Sequence, residues 1–366
     1  MFDFPNSPSE GTQFAPSGGP VYVYTGGVWR MQGSGQVVTA EARNRIVNPA
    51  MQISQENGNT ASSVNAYYMA DQWLRTGTGV GAAVFAAYRI QSYTPNGSVN
   101  RIRVQVTTGG TPAAGEVTMF SQLIEGIRIV DFLWGSPTSA KQAILRFGWK
   151  GPAGTYGVAL RNSAANRTYI ATFTISAGQA NTDTEQVFVI PGDTTGTWLT
   201  DTSTGFNLTI CLASGSTFHG AAGWQAGNLL TTSAQTNGVA TNGNMFELFD
   251  VGLYLDPNAT GVPPPWQMPD EAQELAACQR YYEMVSTQAF IWSGYVNATS
   301  SYAATYAFKV NKRINPAMTA LSGTQANMTG QIGFNGYQTH LYAYMTGGAT
   351  SAYGYFTAGF AANARM

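Results

Sequence analysis

Hydrophobic and polar residues alternate along most of this chain with a period of two. In RIRVQVTT (101–108), Ile102, Val104 and Val106 share one face while Arg101, Arg103, Gln105 and Thr107 share the other, the pattern of a half-buried strand. TYIATFTIS, TEQVFVI, FNLTICLA and LFDVGLYL repeat it, the last with Phe249, Val251, Leu253 and Leu255 on one side. Between them lie TTGGTPAAG, KGPAGT, PGDTTGT and ASGSTFHG, built from residues that permit turns and left-handed backbone. Short strands with frequent turn signals predict an all-β chain whose main body, residues 37–260, is a jelly-roll β-sandwich.

One stretch breaks the alternation. VPPPWQMP (262–269) is a stiff linker, and it ends where DEAQELAACQRYYEMV begins. Asp270 stands at the N-cap position, Glu271 and Glu274 lie near the positive end of the helix dipole, and Leu275, Cys278, Tyr282 and Val285 follow three-four spacing. Residues 261–285 therefore read as a Pro-rich linker and one short helix. Strand signals return in AFIWSGYVN, TYAFKV, GQIGF, HLYAYMTGG and YGYFTAGFAA, which predict a smaller C-terminal β-domain over 286–366. The first 36 residues stand apart, with VYVYTGGVWRM forming a hairpin around Gly26 and Gly27. Such a piece is too small to fold alone and is expected to dock onto something else.

Charge narrows the function classes. Charged residues make up 10% of the 366 positions, against about a quarter in an ordinary soluble domain. The formal net charge of -1 offers a phosphate backbone nothing to bind, so nucleic acid is excluded as a partner. Two stretches, Thr202–Phe246 and Ile314–Ala364, hold no Asp, Glu, Lys or Arg at all, and His219 and His340 are their only titratable imidazoles. Apolar runs such as GAAVFAAY fall far short of the roughly 20 residues that span a bilayer, so no membrane insertion is expected. The N-terminal residues show neither a basic region nor an apolar one, and synthesis in a cytoplasm is the expectation. Cys211 and Cys278 lie far apart, and buried free thiols are the favoured reading over a disulfide.

Catalytic chemistry finds little support. A nucleophile–His arrangement would need His219 or His340, and no GxSxG elbow occurs. No metal-ligand cluster is visible, and GTGVGA (77–82) lacks the acidic residue and βαβ context of a dinucleotide site, so no metal and no cofactor is expected. Glycoside hydrolysis needs two carboxylates facing one sugar, but Asp183, Glu185, Asp193 and Asp201 read as solvated acids. No enzyme is expected.

Aromatic residues are the stronger lead. Read as a hairpin turning between Gly348 and Ala349, THLYAYMTGGATSAYGYFTA sets Tyr344 opposite Tyr353, Tyr342 opposite Tyr355 and His340 opposite Thr357. One face is then core-like and the other a tyrosine ladder ending in a histidine. Flat rings and hydroxyls without charge suit the C–H faces of a neutral sugar; burial between identical subunits accounts for the same residues and carries more weight, because it also explains the missing charge. Trp224, in the uncharged run GWQAGNLLTTSAQTN, either stacks on a sugar or, the weightier reading, plugs the end of the sandwich. The glycan-contact candidates are Tyr342, Tyr344, Tyr353, Tyr355, His340 and Trp224.

Several segments carry a family resemblance. FDFPNSPSEGTQFAPSGGPVYVYTGGVWRM resembles the short N-terminal module of many tailed-bacteriophage structural and tail-fibre proteins. NRIVNPAMQISQENG with YYMADQWLR resembles the entry to the carbohydrate-binding-module-like jelly roll of phage tail fibres. FSQLIEGIRI, GTYGVALRN, VFVIPGDTTGTW, GFNLTICLASGS and FELFDVGLYLD are similar to its later strands in order, and ELAACQRYYE to the helix that follows it. The resemblance covers most of residues 1–285. It implies a virion component assembled in the host cytoplasm, usually a homotrimer, that joins other virion proteins through its N-terminal segment and contacts host surface polysaccharide without catalysis. A purely structural virion component, such as a head fibre, decoration or tail-collar protein that binds only phage proteins, is the alternative; a depolymerase would more often carry long β-helix repeats, and none is visible.

Overall fold

A computed structural model describes residues 4–16, 21–31, 39–348 and 352–366. The chain divides into two compact units, 1–39 and 40–366.

The first unit is a three-stranded antiparallel meander of β1 (Gln13–Phe14), β2 (Tyr22–Thr25) and β3 (Val28–Met31). Gly26 and Gly27 take φ of 62° and 81°, the left-handed pair that a two-residue hairpin requires. Phe4 packs on Phe14, Tyr22 and Trp29 at 5.0–5.3 Å between ring centroids.

The second unit opens with β4 (Tyr67–Ala70), β5 (Trp73–Gly79), β6 (Val84–Gln91), β7 (Asn100–Thr108), β8 (Val117–Glu125), β9 (Gln142–Lys150), β10 (Gly154–Asn162), β11 (Arg167–Ile175), β12 (Thr184–Ile190), β13 (Thr204–Ser214), β14 (Gly223–Ala226) and β15 (Met245–Asp256). They form a seven-stranded sheet, β14-β11-β10-β13-β8-β5-β4, facing a five-stranded sheet, β12-β9-β15-β7-β6. Every pairing is antiparallel. The result is a jelly-roll β-sandwich whose core joins Trp73, Phe120, Phe147, Trp149, Tyr156 and Phe246, all without solvent exposure. β13 lies mid-sheet and is almost wholly buried, so part of the first charge-free stretch is simply core.

Asp270 caps the helix as expected, its side chain accepting from the Gln273 amide. The helix α1 spans Glu271–Gln279 and stops there, six residues short of the spacing argument. From Tyr282 the chain is strand, paired from Tyr282↔Asn363 onward. Tyr281, Tyr282, Val285 and Thr287 follow Gln279, aromatic and β-branched residues that favour a strand, and strand pairing outweighs a weak helical stripe. Six strands follow or overlap this point: β16 (Tyr282–Val296), β17 (Ser301–Ala307), β18 (Ala317–Ala326), β19 (Met328–Gly336), β20 (His340–Gly347) and β21 (Ala352–Asn363). They make two three-stranded sheets, β16-β21-β18 and β17-β20-β19, closed over Phe308, Leu341, Ala343, Met345, Phe356 and Phe360.

Where the two sandwiches meet, the scarce charges gather. Glu125 of β8 accepts Arg280 at 2.9 and 2.6 Å and the Tyr281 hydroxyl at 2.8 Å. Arg313 donates to the carbonyls of Thr202, Ala364 and Arg365, and Arg365 pairs with Glu56 while lying over Tyr68 and Tyr282 at 3.7 and 3.9 Å. Burial pushes Tyr282 up to about 12, and raises Tyr68 and Tyr281 as well. A tyrosine whose folded value exceeds its ordinary 10.0 contributes stability that is intact below about pH 10 and lost as pH climbs through the folded value. Lys312, lowered by burial, works in the opposite sense and is a single group against three. The joint is therefore expected to come apart in alkali, with unfolding setting in above about pH 10; circular dichroism against pH checks this, and an unchanged fold at pH about 12 would refute it.

Candidate functional site

The outer face of the β17-β20-β19 sheet is built by simple alternation. Leu341, Ala343 and Met345 point into the core, so Tyr342 and Tyr344 point out, 40% and 38% exposed. In register, Tyr344 sits between Ala303 and Gly333, and Tyr342 between Thr305 and Asn335. These flanking residues are small or short, which leaves room for the rings to lie down on the sheet. At Gly333 the fit is direct: a Cβ there would meet the Tyr344 ring at 2.4 Å, so only glycine lets that ring rest on the β19 backbone. The Tyr342 and Tyr344 rings are 6.1 Å apart and inclined by 33°. At the sheet end Tyr337 stacks on His340 at 4.8 Å and 21°, and the His340 Nδ1 lies 2.9 Å from the Thr339 hydroxyl. Strands β17, β19 and β20 hold no charged residue. The face thus offers flat rings, hydroxyls and amides, and no charge to be desolvated by a neutral partner.

The expected tyrosine hairpin does not form. Residues 349–351, which include one side of its turn, lie outside the described residues, and β20 and β21 belong to different sheets. Tyr353 stands opposite Tyr295, and Tyr355 opposite Ser293 and Ala326. His340 faces Ala307 and not Thr357. The physical reason is the core: Leu341, Ala343 and Met345 must face Phe356, Ala358 and Phe360 to exclude water, whereas a hairpin would set both apolar stripes side by side on one sheet. The four tyrosines therefore divide into two outward faces. Tyr295, 77% exposed across from Tyr353 at 59%, is an outward aromatic that sequence reasoning missed; the alternation Ile291, Ser293, Tyr295 in AFIWSGYVN was its signal.

Trp224 is half-buried. It sits on β14 opposite Tyr169, donates its indole N–H to the Pro191 carbonyl at 2.9 Å, and packs on Trp134 and Trp198 at 5.3 and 5.5 Å. Cys211 and Cys278 are both free and buried, and burial pushes the Cys211 thiol up to about 12. Ser214 and His219 Nε2 are 3.1 Å apart. Among the described residues, no group of three His, Cys, Asp or Glu is placed to hold a metal ion, and no helix is long and apolar enough to cross a membrane.

No family model matches this chain, and no curated protein matches it. Solved structures that resemble it include carbohydrate-binding modules and a phage tailspike domain. One is the enzymatically active domain of bacteriophage CBA120 tailspike protein 4, at 12% identity and a TM-score of 0.29, covering 54% of this chain and 21% of that one. Another comprises the family 22 carbohydrate-binding and glycoside hydrolase modules of a Clostridium thermocellum xylanase with xylohexaose, at 12% identity and 0.28, covering 56% of this chain and 29% of that one. A third is TmCBM61 with β-1,4-galactotriose, at 10% identity and 0.30, covering 58% and 99%. The chain thus spans about a fifth of the tailspike structure and under a third of the xylanase. The sandwich architecture stands on the strand order and register above.

Proposed function

We propose that the protein is a bacteriophage virion fibre or spike component that attaches the particle to host cell-surface polysaccharide without catalysis. It works as a homotrimer, joined to other virion proteins through its N-terminal segment and assembled in the host cytoplasm. One observation carries the reading: Tyr344 laid on Gly333 beside Tyr342, on a sheet without charge. A ring held flat on a backbone is preorganised for stacking against a sugar ring, so little side-chain entropy is lost on binding. The segment-by-segment resemblance to phage tail-fibre proteins supports the virion setting.

Tyr344→Ala is expected to weaken binding of the full chain to host surface polysaccharide by about tenfold or more, since centrally placed aromatic contacts dominate such faces. Adsorption to cells and to extracted polysaccharide measures this. Light scattering on the same preparations should give a multiple of the 39.0 kDa chain mass, and a folded monomer would contradict the homotrimer. The β16-β21-β18 sheet favours the alternative, a structural component that binds only phage proteins, because Ile291 and Tyr295 are 63% and 77% exposed there. Absence of any binding to cells or polysaccharide would select that alternative.

A further inference from the structure

A cleft lies on the outer face of the five-stranded sheet of the jelly roll, whereas Tyr342 and Tyr344 belong to the β17-β20-β19 sheet of the C-terminal sandwich. It encloses about 170 Å3 and is lined by Asn96, Arg146, Asp183, Glu185, Phe249 and Asp250 among others. A β-bulge creates it. β15 pairs with β9 through Phe249↔Gly148 and resumes at Gly252↔Arg146, and at the bulge Asp250 takes φ of 50°. Bulges re-aim side chains in this way. The Phe249 ring lies over Gly148, where a Cβ would meet it at 2.0 Å, and the Arg101 guanidinium lies over the ring at 4.3 Å from its centroid.

Most charges around this cleft are matched. Arg101 holds both oxygens of Asp183 at 2.5 and 2.6 Å and Glu247 at 3.0 Å, while Arg146 pairs with Glu185 and donates to the Pro264 carbonyl at 3.1 Å. Asp250 is different. It is 1% exposed, and its Oδ2 accepts only a long 3.2 Å bond from Asn96. Its Oδ1 is buried with no hydrogen-bond partner, and so is Nε of Arg146, a residue 7% exposed. A buried carboxylate oxygen without a donor is costly and calls for a partner, and here it stands beside an unpartnered guanidinium N–H in the lining of the same cleft. The volume is below that of a drug-sized pocket and fits one sugar ring.

We infer that this cleft binds a single hexosamine unit, its ammonium donating to Asp250 Oδ1 and a ring hydroxyl accepting from Arg146 Nε. The carboxylate selects a cationic donor over a neutral hydroxyl or an acetamide, because a charge-assisted bond is roughly twice as strong. The inference extends the proposed attachment to polysaccharide by naming one of its units, and is tested without the polymer.

Calorimetry or ligand-detected NMR on the full chain, with free glucosamine, N-acetylglucosamine, glucose and glucuronate as probes, decides the matter. Glucosamine is expected to bind saturably, about tenfold or more tighter than the other three. Asp250→Asn keeps the shape and tolerates the left-handed backbone, and should erase that preference while Tyr344→Ala leaves it intact. Equal binding of all four sugars, or binding of none, overturns the inference even where the polysaccharide still binds through Tyr344; a preference that survives Asp250→Asn overturns it too. Loss of polysaccharide binding in Tyr344→Ala, with glucosamine binding retained, separates the two sites.

Discussion

Glu283→Ala should destabilise the C-terminal sandwich by about 3–5 kcal/mol, the cost of breaking a buried ion pair from one side. The Glu283 and Lys312 side chains are both fully buried, with Nζ 2.6 Å from Oε2. Lys312 also donates to the carbonyls of Gln279 at 2.6 Å and Val310 at 3.3 Å, and lies 4.5 Å over the Phe308 ring. Once the carboxylate is gone, the ammonium keeps two carbonyls and a ring but no counter-charge. Burial already lowers the Lys312 pKa, with the Glu283 pair pulling it back up, so removing Glu283 lowers it further. A lysine whose folded value falls below 10.5 is deprotonated earlier in the native state than in the unfolded one. Stability of the variant therefore rises with pH between the folded value and about 10.5. Urea unfolding at several pH values reads both effects. The double variant Glu283→Met with Lys312→Met is expected to recover most of the loss, because well-packed apolar residues replace a buried pair at little or no net cost. A double variant as unstable as the single one would refute the ion-pair explanation and point to packing alone.

This pair explains the place of charge in a chain that has so little of it. Ion pairs gather at the joint between the sandwiches and on the outer face of the five-stranded sheet, while the sheet carrying Tyr342 and Tyr344 has none in its strands. Buried ionic partners at the joint tolerate few alternative arrangements, because each charge needs its counter-charge and its hydrogen bonds in place.

Periodicity was legible wherever strands were regular. Ile102, Val104 and Val106 are all fully buried on β7, as their spacing in RIRVQVTT requires. The same rule failed across the β15 bulge. Phe246 and Leu248 face the core before it and Val251, Leu253 and Leu255 after it, so Phe249 belongs to the outer face despite fitting the two-residue pattern. An inserted residue is invisible to a period count, and it is what turns Asp250 into its cleft. Likewise Tyr342 and Tyr344 were legible as lying on the face away from the core, but Gly333 beneath Tyr344 was not, since cross-strand register depends on turns and a bulge between Thr329 and Gly333. The hairpin failed for a third reason: nothing local to residues 340–357 says which sheet the returning strand joins, and the shared core decides it.

Asp193→Ala should cost about 3–5 kcal/mol and loosen the tryptophan cluster at the end of the jelly roll, by stripping four donors of one buried acceptor. Asp193 is fully buried. Its Oδ1 accepts Arg167 Nε and Nη2 at 2.9 and 2.5 Å, and its Oδ2 accepts the Gly196 amide at 2.8 Å and the Trp198 indole at 2.9 Å. Trp198 packs on Trp134 at 5.0 Å and Trp224 at 5.5 Å, and Arg167 lies 5.4 Å over Trp224. One carboxylate thus fixes the loop, the Trp198 indole and the Arg167 guanidinium together, beside the cluster of Trp134, Trp198 and Trp224. Burial tends to raise this carboxyl, but the bonds from Arg167, Trp198 and Gly196 prevail and hold it below the ordinary 3.8. A depressed carboxylate contributes stability that is present above about pH 4 and lost as pH falls through the folded value. The wild-type protein should therefore weaken on acidification at this site, whereas the alanine variant, already lacking the contribution, should show a shallower acid limb. Tryptophan emission should shift toward that of solvated indole in Asp193→Ala and shift less in Asp193→Asn, which keeps an acceptor but not the charge. Unchanged emission together with an unchanged unfolding midpoint would show that the rings hold themselves.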